Sequence, residues 1–203
     1  MRCKYLVPAA VVTVMMMAGG CLFSPEDDPG GGGTPPPKYE FPDTPDKLMS
    51  NFQLAYSGLD INQYRNILHP DFIFKFLEAD VDALNLPSDR LFKDEELLSA
   101  QKMFSGSPGV DPLDGTPVAG ISDITFELFD REGTWEGTDD AVDFPGTQKA
   151  VFNTQVSFLR PGSTTIIVDG QTIFYVAARD STVNGVTRDY YQLRGWVDRT
   201  ATK

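Results

Sequence analysis

The chain has 203 residues, room for one ordinary domain with some sequence to spare and too little for a large multidomain enzyme. Hydrophobic residues make up 41% and aromatics 11%, which excludes a disordered chain and predicts a sizeable core. Seventeen Lys and Arg against 29 Asp and Glu give a formal charge of −12, so DNA or RNA is repelled over most of the surface and no nucleic acid is expected as a partner.

The N-terminus reads as an address. Arg2 and Lys4 precede an apolar run from Leu6 to about Ala18 that ends in Gly19, Gly20 and Cys21, the layout of a signal peptide. The run is shorter than the roughly 20 apolar residues a membrane-spanning helix needs. Ala18, Gly19, Gly20 and Cys21 resemble the lipobox of bacterial lipoproteins. That resemblance implies removal of residues 1–20 and attachment of acyl chains such as palmitate to Cys21. Cys3 leaves with the signal peptide, so no disulfide remains. Residues 21–43, with Glu26, Asp27, Asp28, the glycines Gly30 to Gly33 and the prolines Pro35 to Pro37, read as a flexible tether. Leu22 after the Cys is similar to lipoproteins sent to an outer membrane. The implied place is the bacterial cell envelope, with the protein held to the membrane through lipid on its periplasmic or surface face.

The folded part is expected over residues 44–203. Thr44 followed by Pro45 suits a helix start, and Leu48, Phe52, Ala55 and Leu59 form one apolar stripe up to Gly58. Asp60 with Gln63 starts a second short helix, with Ile61, Tyr64 and Leu68 on one face, stopping before Pro70 with His69 at its end. Phe72, Phe74 and Phe76 alternate as in a strand. Asp94, Glu95 and Glu96 suit the N-terminus of a third helix, whose buried face is Leu97, Leu98, Met103 and Phe104. Residues 107–118 read as a loop. From about Gly120 strands take over: Ile124, Phe126 and Leu128 alternate, as do Phe152, Val156 and Phe158. Asp169-Gly170 and Asn184-Gly185 suit two-residue hairpin turns. Helices followed by an antiparallel meander make an α+β layout.

The run Tyr56 to Tyr64, followed by Leu68, His69, Pro70, Asp71 and Phe72, resembles the opening of nuclear-transport-factor-2-like and SnoaL-like domains, and Tyr190 to Asp198 is similar to their last strand. The resemblance implies a cone-shaped α+β barrel, in which a curved antiparallel sheet packs against three N-terminal helices around an apolar pocket. This scaffold serves enzymes and binding domains alike, so the residues must decide. Laid over ketosteroid-isomerase-like members, the tyrosine position falls on Phe52 and the carboxylate position near Phe76, neither able to transfer a proton.

His69 is the only histidine, which invites a catalytic role; the alternative is a ring that satisfies last-turn carbonyls of the second helix. No Gly-x-Ser-x-Gly elbow occurs, and the glycines of the tether lack a following Lys-Ser/Thr. No metal site is expected: Asp139, Asp140 and Asp143, or Asp111 and Asp114, do not follow an EF-hand spacing and read as solvated loop acids. No cofactor is expected either. Tyr56, Tyr64, Tyr191 and Trp196 are the candidate ligand-binding aromatics, their rings apolar and their tips polar. The reading adopted from the sequence is a non-enzymatic, lipid-anchored envelope protein that presents a pocket or sheet face to a small apolar ligand or an envelope protein. One alternative is a SnoaL-like enzyme using His69, Asp71 or Glu78 for isomerase- or dehydratase-type proton transfer on a small apolar substrate. The other is a structural subunit that forms a homodimer or larger homo-oligomer.

Overall fold

The computed structural model describes residues 38–77, 81–82, 87–110, 115–138, 140–162, 165–183 and 185–202. The signal peptide, Cys21, most of the tether and Glu78 therefore lie outside the described residues.

Helix α1 spans Pro45–Ser57, with Thr44 extended and its hydroxyl accepting from Lys47 N. Leu48, Phe52 and Ala55 are buried as the stripe predicts. The chain turns after Gly58 with Leu59, not the glycine, in the left-handed region at φ 51°. Gly58 answers a different need, since a Cβ there would lie 2.9 Å from the Leu54 carbonyl oxygen. Helix α2, Ile61–Ile67, is capped by the Asp60 carboxylate, which accepts from Gln63 N at 3.0 Å and from the Tyr39 hydroxyl at 2.9 Å. Strand β1, Leu68–Lys75, follows at once, so His69 belongs to the strand and does not end the helix. Pro70 is tolerated inside β1 because the ladder is irregular between Leu68 and Ile73.

Strand β2, Arg90–Phe92, leads into helix α3, Lys93–Phe104, where the Glu95 carboxylate accepts from Phe92 N. Of the expected inner face of α3, Leu97, Met103 and Phe104 pack on the core but Leu98 is 62% exposed, and Glu96 is buried with Ala100 and Phe104 at four-residue spacing. Within the expected 107–118 loop, β3 at Gly109–Val110 pairs antiparallel with β4 at Pro117–Val118.

The long strands are β5 at Asp123–Gly137, β6 at Gln148–Leu159, β7 at Ile166–Val183 and β8 at Val186–Thr202. They form with β1 and β2 a curved six-stranded sheet in the order β2-β1-β8-β7-β6-β5, antiparallel except where β1 meets β8. Strands β2 and β5 are its edges, so the sheet is open and the expected barrel is not closed. A bulge between Phe126 and Leu128 breaks the expected alternation of β5, turning Leu128 outward and bringing Phe129 onto the core. Asp169-Gly170 is no turn. Both residues are paired on two sides, with Gln155 and Thr154 of β6 and with Ala201 and Thr200 of β8, and β7 runs through them. Gly185 at φ 77°, between the paired Val183 and Val186, closes the expected second hairpin.

The main core fills the space between the helices and the inner sheet face. A smaller cluster on the other face joins Ile73, Phe144 and Tyr175. Phe144, from the β5–β6 connection, stacks on Tyr175 with ring centroids 3.8 Å apart. Gly195 makes room for it, because a Cβ there would collide with the Ile73 carbonyl oxygen and the Phe144 ring. Asp143 in the same connection is no solvated acid. Lys75 and Arg90 hold it at 2.6 and 3.0 Å and keep its carboxyl below the usual range.

Candidate functional site

A cavity of about 200 Å³ lies between α1 and the inner face of the sheet. Its wall is aromatic because the inward positions of neighbouring strands are. Trp196 of β8 pairs across the ladder with Phe174 of β7, and Phe52 of α1 packs against both rings at 5.1 and 5.4 Å. The polar residues among its lining are Tyr56, Thr154, Thr172 and Asp198. Asp198 faces Thr172 across the β7–β8 ladder, two residues beyond Trp196 and so on the same side of the strand. Tyr56 stands one helical turn after Phe52, with ring centroids 5.3 Å apart.

Behind Tyr56 the polar line continues into the core. The Tyr56 ring meets Tyr64 edge-on at 5.5 Å, and the Tyr64 hydroxyl donates to Glu96 Oε1 at 2.7 Å. Burial pushes the Glu96 carboxyl up to about 7, against the opposing effect of the Tyr64 hydrogen bond. Burial raises the Tyr56 phenol far above its ordinary range, and the nearby Glu96 and Asp198 carboxyls add to it. Tyr56 therefore keeps its proton at any physiological pH.

Of the residues singled out in the sequence, Tyr56 and Trp196 line this cavity. Tyr64 sits behind it, fully buried. Tyr191 lies elsewhere, in a second hollow of about 190 Å³ with Pro42, Asn51, Asn66 and Tyr190. His69 and Asp71 are not among the residues that line either hollow. The His69 ring accepts from the Asp71 backbone N–H at Nδ1, 3.0 Å away, and its Nε2 meets Arg179 Nη1 at 3.1 Å. Sequence reasoning passed over Asp198 and Glu96. The signals were present: Asp198 follows Trp196 at strand period, and Glu96 leads the helical series to Ala100 and Phe104. Among the described residues no group of three or more His, Cys, Asp and Glu stands ready to hold a metal ion.

No family model and no curated protein matches the chain. Solved structures do. A ketosteroid isomerase-like protein from Erwinia carotovora atroseptica is 13% identical over 77% of this chain and 92% of its own, with a TM-score of 0.44. A protein provisionally assigned as a scytalone dehydratase, from Novosphingobium aromaticivorans, is 7% identical over 78% of this chain and 83% of its own, at 0.46. An NTF2-like protein of unknown function from Cytophaga hutchinsonii is 8% identical over 79% and 90%, at 0.40. The names isomerase and dehydratase among these neighbours run against the expectation of a non-enzymatic presenter, and that expectation is corrected. At such identities the likeness concerns the fold, so the case for chemistry has to be made from the cavity itself.

Proposed function

We propose that the chain is an enzyme that moves a proton on a small apolar substrate, in an isomerase- or dehydratase-type reaction, with Asp198 as base and Tyr56 as hydrogen-bond donor. The observation that carries this reading is that one carboxylate residue and one permanently protonated phenol residue line the same largely aromatic cavity. An engineered apolar cavity of about 150 Å³ takes up benzene. The present volume of about 200 Å³ thus suits a single ring or a branched chain of similar size bearing a carbonyl. In the step envisaged, the Asp198 carboxylate removes a proton from the carbon beside the carbonyl. The C–H electron pair becomes the enolate double bond, and charge moves onto the carbonyl oxygen, where the Tyr56 O–H stabilises it. Where a double bond conjugates with the enolate, the Asp198 acid then returns the proton to the far end of the dienolate; where the β-carbon carries a hydroxyl, the enolate electrons expel it and the Asp198 acid protonates it as it leaves. The catalytic roles thus leave His69 and Asp71 and fall on β8 and α1.

The test needs no knowledge of the substrate. A panel of small cyclic ketones and enones in D2O is followed by NMR for deuterium uptake beside the carbonyl. Exchange catalysed by the wild type should fall about 100- to 10,000-fold in Asp198→Asn, the range for a lost general base. Tyr56→Phe should lose about 100- to 1,000-fold, the range for a lost oxyanion donor. Equal exchange in wild type and Asp198→Asn refutes the assignment.

The anchor at Cys21 and the envelope location belong to the same proposal. Mass spectrometry of protein purified from membranes should show an acylated Cys21 as the first residue, and an unmodified N-terminus refutes it.

A further inference from the structure

Outside the cavity, where β1, β7 and β8 meet, the structure gathers positive charge in a strongly acidic chain. His69 is 8% exposed and lies against Arg179, 3.1 Å from Nε2 to Nη1. Arg194 of β8 acts on the same ring, and its Nη1 is buried without a hydrogen-bond partner among the described residues. Lys93 approaches from α3, donating to the Leu68 carbonyl at 2.6 Å, with Arg65 beside it. The acids facing this group are Asp71, with an exposed side chain 3.8 Å from Nδ1, Asp94 beside Lys93, and Asp143, which Lys75 and Arg90 already hold.

The hydrogens at His69 do not balance among these neighbours. A neutral imidazole has one N–H and one lone pair, and a guanidinium only donates. The Asp71 backbone N–H fills the Nδ1 lone pair, so the ring hydrogen sits on Nε2, pointing at another donor in Arg179. Protonating the ring would only add a second donor facing a donor. Burial, then Arg194 and Arg179, and more weakly Lys93, hold its pKa below the usual value against Asp71. Among the described residues, Nε2–H and Arg179 Nη1 thus face each other as donors, and Arg194, which acts on the same ring, keeps an Nη1 without a hydrogen-bond partner.

We propose that His69, Arg179 and Arg194 form a binding site for a small oxyanion, a carboxylate or phosphate group that accepts from all three. This site is independent of the chemistry assigned to the cavity.

Because His69 is the only histidine, its ring Cε1–H is a single NMR signal and a direct reporter. The full chain is titrated at fixed pH and ionic strength with sodium phosphate, sodium acetate and sodium chloride. The expected result is a saturable shift with at least one oxyanion and none with chloride. Saturation with phosphate alone assigns a phosphate group, with acetate alone a carboxylate, and with both the class as a whole. In Arg179→Gln the midpoint should rise tenfold or more. Arg179 is exposed, so this variant keeps its fold, and an otherwise unchanged amide spectrum verifies that. A ring signal that responds to neither oxyanion more than to chloride overturns the proposal, as does an unchanged midpoint in Arg179→Gln.

Discussion

Replacing Glu96 by Gln should stabilise the protein at neutral and alkaline pH and leave it nearly unchanged in mild acid. Glu96 is 6% exposed, and burial lifts its carboxyl from the ordinary 4.5 to about 7. The folded state therefore binds this proton more tightly than the unfolded chain does. Its contribution is fully present below pH 4.5, declines as pH rises toward 7, and is flat above that. Integrated across that window, ionisation of Glu96 costs about 3 kcal/mol of stability. Gln keeps an oxygen for the Tyr64 hydroxyl and has no charge to bury. Urea unfolding of both chains from pH 5 to pH 8 should show the variant gaining on the wild type by about 2 to 3 kcal/mol, roughly 1 M in midpoint at a slope of about 2 to 3 kcal/mol per M. Two other effects bear on the window. Asp60, Asp89 and Asp143 have lowered pKa values and weaken the fold only as pH falls through the acid range below it. His69, lowered as well, contributes stability that is lost as pH falls below its usual 6.5, a slope opposite in sign. Both chains share these contributions, so they cancel in the difference. Parallel curves for wild type and variant across the range would refute the reasoning.

The bulge in β5 makes a paired prediction for the same assay: Leu128→Ala should change stability by no more than about 0.5 kcal/mol, whereas Phe129→Ala, which removes a ring packed on Phe52, Phe126 and Phe152, should cost about 3 kcal/mol or more. The reverse order would place the bulge elsewhere. Gly195→Ala should destabilise by about 2 kcal/mol or more, since backbone of β1 as well as the Phe144 ring stands where the methyl would go. An unchanged urea midpoint would show that the β5–β6 connection does not pack there.

The helix starts were legible because each rests on local chemistry: Thr44 before Pro45, and Asp60 three residues before Gln63, cap their own backbone whatever the rest of the chain does. Turns and registers depend on partners far away in sequence. Asp169-Gly170 has turn chemistry, yet β6 and β8 offer ladder partners on both sides, and a paired strand outweighs a local preference. Glu96 looked like a helix-start acid, which the dipole favours, but only the packing of α3 against α2 decides that it faces Tyr64 rather than water.

The site was the least legible part, and the ladder between β7 and β8 gives the physical reason. Val176 pairs with Leu193 and Tyr175 with Gly195, which leaves Arg194 as the extra residue of a bulge. Leu193 faces the core, so strict alternation would turn residues 195 and 197 inward and Asp198 out. The inserted residue reverses the phase, and Trp196 and Asp198 line the cavity instead. The same insertion carries the guanidinium whose Nη1 has no hydrogen-bond partner among the described residues. One unpaired residue thus places the candidate base on one face of the sheet and a candidate anion ligand on the other, and no periodicity in the sequence of β8 announces it.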